Sequence, residues 1–99
     1  MSNQQLIEDK ISSLQKYLAI LAHYQKHSQA DIERDVTLKG AVERYLYLLV
    51  QATIDLAEML IALKKLRKPA TMGESFEILA ESGLIDVKLQ EKMIKLTGF

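Results

Sequence analysis

An all-α fold, an antiparallel helical bundle of two long helices and two short ones, is what this 99-residue sequence predicts. Three observations predict it. Chain-breaking residues are sparse: Gly40 is the only one before Pro69, and Gly73, Gly83 and Gly98 follow in the last third. Apolar residues recur in steps of three and four over both long segments, which is the period of one helix face. Strand-like alternation of apolar and polar residues is negligible.

The first helix is expected over about residues 3–26, with Ile7, Ile11, Leu14, Leu18 and Leu21 on one face. Asp9, Lys10, Ser12, Ser13, Gln15 and Lys16 flank that face. Ser28 or Asp31 suits the cap of a short turn, and Asp35 or Thr37 that of the long helix beyond it. Leu38, Val42, Tyr45, Leu49, Ala52, Leu56, Met59 and Leu63 then keep the four-three spacing without a miss. From Tyr45 to Leu63 the apolar side chains cover an arc of roughly 220°. One packed neighbour needs only about 100° or a little more, so the excess must meet further helices or a second subunit. Lys64, Lys65, Arg67 and Lys68 close the helix with the charge its dipole favours, and Pro69 stops it. A short third helix, Glu74 to Ser82, carries Phe76, Ile78 and Leu79 and ends at Gly83. Asp86 can cap a fourth, with Val87, Leu89, Met93, Ile94 and Leu96 apolar.

Composition limits function. Thirteen basic residues balance thirteen acidic ones, which excludes a grossly basic nucleic-acid binder and an acidic tail. Any contact with nucleic acid must come from local clusters. With no cysteine there is no disulfide, thiolate nucleophile or cysteine-based zinc site, a usage compatible with the cytoplasm, which is the expected location. A hydrophobic share of 48% excludes a disordered chain. One domain is expected over residues 1–99. A domain this small buries only about 60–65% of its unfolded surface, so self-association adds to its stability. The polar start, Met1 to Gln5, with no apolar block directly after it, does not read as a signal peptide. The stretch from Tyr45 to Leu63 approaches membrane-spanning length. It carries Gln51, Asp55 and Glu58, costly at bilayer depth, and is read as a buried helix of a soluble protein with no membrane partner.

Four groups of residues bear on chemistry. Arg44, Gln51, Asp55 and Glu58, with Leu48 between them, fall within roughly 80° on the long helix. They read either as its solvated face or as a cleft able to hold a basic group through Asp55 or Glu58. Asp55 is then expected to pair with Arg44, of its own or a facing subunit, or to be hydrated. His23 and His27 stand four apart, a spacing that can serve a metal, but no HExxH pattern or nearby carboxylate supports one. Lys64, Lys65, Arg67 and Lys68 are either helix-end charge or contacts for RNA phosphates. Tyr17, Tyr24, Tyr45 and Tyr47 read as core or rim aromatics rather than base-stacking platforms. No glycine-rich phosphate loop and no nucleophilic serine stands out, and no cofactor is implied.

The segments LKGAVERYLYLLVQATIDLAEMLIA (Leu38–Ala62), GESFEILAESGLID (Gly73–Asp86) and LQEKMIKLTGF (Leu89–Phe99) resemble the HepT-like family of HEPN proteins. The most specific pieces are Arg44…Gln51…Ile54–Asp55…Ala57, Phe76–Glu77–Ile78–Leu79 and the closing Gly98–Phe99. The resemblance implies a helical-bundle homodimer acting as a ribonuclease toxin. Its implied partner is a minimal nucleotidyltransferase antitoxin, which in some members adds AMP to a toxin tyrosine. It further implies metal-independent RNA cleavage by an Arg-x-x-x-x-His motif, often followed by x-Tyr, directly after a Gly-Phe pair such as Gly98–Phe99. This sequence ends at Phe99, so no catalytic residue carries over, and His23 and His27 do not match the motif. On this reading the domain is incomplete at its C-terminus and catalytically inert. The alternative is a non-enzymatic helical docking module that binds a nucleotidyltransferase or its substrate.

Overall fold

The computed structural model of the chain describes residues 2–97. The closing Gly98–Phe99 pair lies outside the described residues. Five α-helices and a 3-10 turn follow one another: α1 Asn3–His23, the turn Tyr24–Lys26, α2 Gln29–Arg34, α3 Val36–Leu63, α4 Met72–Glu81 and α5 Val87–Thr97. There is no strand among the described residues. The bundle therefore has one helix more than the two long and two short ones expected.

The extra helix, α2, stands where a short turn is expected, and local hydrogen bonding explains it. The Ser28 hydroxyl accepts the Asp31 N–H while the Asp31 carboxylate accepts the Ser28 N–H, a reciprocal cap that satisfies two otherwise orphaned donors. The next boundary is shared: Asp35 closes α2, and its carboxylate accepts the N–H groups of Thr37 and Leu38 to open α3. Of the alternative caps, Ser28 and Asp35 are the ones used. Asp86 accepts the Leu89 N–H at 2.7 Å before α5, as its position suggests. The first helix ends at His23, and the last residues of its expected span tighten into the 3-10 turn.

All the other α-helices pack on α3. α1 runs antiparallel to it: Lys10 meets Asp55, Tyr17 meets Tyr45, and numbers rise on one helix as they fall on the other. On the other side, Ala57 and Ile61 of α3 bury against Phe76, Ile78 and Leu79 of α4, with Met93 and Ile94 of α5 packed around them. The wide apolar arc is thus covered from two directions. Coverage is incomplete: Leu46, Tyr47 and Leu63 of α3 remain exposed, and so do Ile11 and Leu18 of α1. By length and composition α3 could cross a membrane, but here it is the helix on which the others are mounted. Its length draws the molecule out to 46 × 30 × 20 Å.

Two helices end in the same motif with different residues. After α4, Gly83 takes φ 81°, its N–H bonds to Ala80 C=O at 3.1 Å and Leu84 N–H to Leu79 C=O at 3.0 Å. After α3, Lys65 takes φ 54°, with Lys65 N–H on Ala62 C=O at 3.2 Å and Leu66 N–H on Ile61 C=O at 3.0 Å. Leu66 then folds back onto the core beside Ile61, which holds the left-handed lysine in place. The two sites make a matched pair of predictions for urea unfolding. Lys65→Gly raises stability by about 0.5–1 kcal/mol, because glycine adopts this conformation without the Cβ clash. Gly83→Ala lowers it by about 1 kcal/mol, a conformational cost alone, since nothing lies within 4 Å of the added methyl.

Candidate functional site

The stripe of Arg44, Gln51, Asp55 and Glu58 is narrow in angle but long, and the helices packed beside it divide it. Asp55 and Glu58 line a groove of about 590 Å³ between α3 and α1, opposite Leu6, Asp9 and Lys10. Gln51 lines a second groove, of about 580 Å³, with Leu46, Tyr47 and Ile54 of α3, Met72 of α4 and Leu96 of α5. Arg44 does not line this second groove but adjoins it through Tyr47, its guanidinium 5.6 Å from the centre of that ring.

The expected pairing of Asp55 with Arg44 is not formed within the chain. Lys10 of α1 takes that place, its Nζ donating to Asp55 Oδ2 at 3.3 Å. The reason is axial distance. Three helical turns, roughly 16 Å, separate positions 44 and 55 on α3, whereas antiparallel α1 brings Lys10 level with Asp55. Both side chains are partly exposed, so the pair sets the register of α1 on α3 more than it adds to stability.

The basic cluster is also divided. Arg67 donates from Nη1 to Glu74, and from Nε and Nη2 to the two carboxylate oxygens of Glu81, the latter at 3.3 and 2.9 Å. This fork ties the segment after α3 to both ends of α4. Hydrogen bonding to Arg67 holds the Glu81 carboxyl below its usual range, and the two carboxylates raise the Arg67 pKa. Arg67 is thus occupied by α4. Lys64, Lys65 and Lys68 are exposed at the end of α3 and pair with no carboxylate among the described residues.

His23 and His27 do not share a helix face. His23 is the last residue of α1, while His27 has left the helix for extended backbone at φ −91°, ψ 141°. Tyr17 and Tyr45 are half-buried against each other across α1 and α3, their ring centres 6.3 Å apart. Of the core and rim positions expected of it, Tyr47 takes the rim, where it lines the second groove. At 55% exposure, it is an open aromatic surface under a guanidinium. The signal for it in the sequence is the three-residue step from Arg44, which puts the two side chains side by side on a helix.

A family model described as Ribonuclease HepT-like matches residues 7–99. The chain belongs to the HepT-like family. The match spans α1 from Ile7 through α5, and so takes in both grooves and the basic end of α3. It makes this a HEPN-type chain with a toxin-related role. No curated protein and no solved structure matches it.

The Arg67 fork predicts a pH dependence. A carboxyl held low in the folded state contributes stability above the ordinary glutamate pKa and loses it as pH falls through the lowered value. Arg67→Ala therefore lowers the urea midpoint near neutral pH, and its deficit relative to wild type shrinks as pH falls from about 5 to about 3. A deficit that does not change with pH would assign the loss to packing of the arginine stem instead.

Proposed function

We propose that this HepT-like chain is the toxin subunit of a toxin–antitoxin pair, an RNA-directed homodimer of the cytoplasm neutralised by a minimal nucleotidyltransferase antitoxin. The observation that carries the proposal is the family match over nearly the whole helical bundle, residues 7–99. The apolar surface left open on α1 and α3, with Ile11, Leu18 and Leu63 exposed, supports self-association. Lys64, Lys65 and Lys68, free of ion pairs among the described residues, supply a local cluster of positive charge on a chain with no net charge.

Cleaving RNA without a metal requires a proton acceptor at the ribose 2′-OH and a cation at the phosphate, each contributing about 10²-fold or more. The arginine and histidine that the family resemblance assigns to these tasks are not among residues 1–99. The two histidines present lie at and beyond the end of α1. In this reading the 99 residues bind and assemble but do not cleave.

Two measurements test the proposal. Sedimentation at tens of micromolar is expected to show a two-fold dimer, and a stable monomer counts against it. The purified chain is expected to leave tRNA and mRNA intact, and cleavage abolished by His23→Ala or His27→Ala would overturn the assignment of inactivity.

A further inference from the structure

The groove between α3, the start of α4 and the end of α5 brings together three chemical features that the reading above does not use. Its walls are mainly apolar, formed by Leu46, Val50, Ile54, Met72 and Leu96 around a volume of about 580 Å³. That size is in the range of small-ligand sites. The first feature is Tyr47, which lines the groove with more than half of its surface in solvent. The second is Arg44, whose guanidinium rests over that ring. The third is the Gln51 amide in the same wall, which makes no side-chain hydrogen bond among the described residues.

The cation beside this groove is open to an anion, as Lys64, Lys65 and Lys68 are at the end of α3. Lys10 is paired with Asp55, Lys39 with Glu33 and Glu43, and Arg67 with Glu74 and Glu81. Arg44 pairs with no carboxylate among the described residues, and its guanidinium rests on the tyrosine ring. An apolar helix or a second copy seated here would have to bury an uncompensated guanidinium and an unsatisfied amide, both costly. A nucleotide satisfies all three groups. Its base stacks on an aromatic ring or a guanidinium plane, its edge meets an amide that both donates and accepts, and its phosphate takes the guanidinium.

We propose that the Arg44–Tyr47–Gln51 groove is a nucleotide subsite holding one unpaired base of single-stranded RNA, with the adjoining phosphate on Arg44. The proposal rests on the RNA-directed reading given above and adds where, and by which groups, the strand is gripped. Glu43 at the rim disfavours a second phosphate on that side, so the site takes one base and one phosphate rather than a run of backbone.

The test is binding of the 99-residue chain to a fluorescein-labelled single-stranded oligoribonucleotide, followed by anisotropy at two salt concentrations. Tyr47→Ala is expected to weaken binding by about tenfold or more, while Tyr47→Phe stays near wild type. Arg44→Gln is expected to weaken binding and reduce the salt slope by about one. Tyr47 and Arg44 are exposed, and circular dichroism confirms that the variants fold. RNA binding that survives Tyr47→Ala and Arg44→Gln but falls on changing Lys64, Lys65 and Lys68 overturns the subsite and leaves the RNA reading standing. A wild-type chain that binds no RNA overturns both. Dissociation of a dimer by Tyr47→Ala, with RNA affinity unchanged, gives the groove to a second copy and likewise overturns the proposal.

Discussion

A 28-residue helix that is apolar around more than half of its circumference must be covered from more than one side, and the rest of this fold answers that requirement. α1 lies along one side of α3, and α4 with α5 lies along another. The short α2 exists because Asp35 both closes it and opens α3, so the chain changes direction without an unsatisfied helix end. The segment leaving α3 has to reverse at once to bring α4 back onto the core. The left-handed Lys65 makes that reversal, Leu66 anchors it, and the Arg67 fork fastens it to α4.

Covering α3 from two sides also decides where its polar residues end up. Positions 44 to 58 share a narrow angular sector, yet they extend over roughly 20 Å of axis. The covering helices do not run the same length, so Asp55 and Glu58 come to face α1 while Gln51 faces the end of α5. A single polar stripe in the sequence becomes two grooves of opposite character. One carries carboxylates with a lysine bound to Asp55, and the other an arginine on an aromatic wall.

What was legible in the sequence was what short-range chemistry controls. The periods of α1 and α3, the caps at Ser28, Asp35 and Asp86, and the stop at Gly83 each depend on residues within one turn of one another. The end of α3 was marked by Pro69, yet the helix stops earlier, at a lysine whose left-handed backbone has no signature of its own. The links between Lys10 and Asp55, and between Arg67 and Glu81, were beyond reach for a different reason. A helical wheel gives the direction in which a side chain points but not the element it meets there. The candidate site shared that fate: its residues were identifiable on α3, while their division between two grooves followed from the neighbours.

α1 has a consequence for how the molecule moves. It contributes no fully buried side chain, whereas α3 and α4 enclose the tightly packed cluster of Ala57, Ile61, Phe76, Ile78 and Leu79. Elements held by few buried contacts open at lower free energy than the core and do so as a unit. The backbone amides of α1 should therefore exchange with deuterium well before those of the Ala57–Ile61 turn. Each such opening releases Asp55 from Lys10 and uncovers one flank of α3 while the opposite flank stays closed. The molecule is built as a firm half and a detachable half, and the seam between them runs through the carboxylate groove.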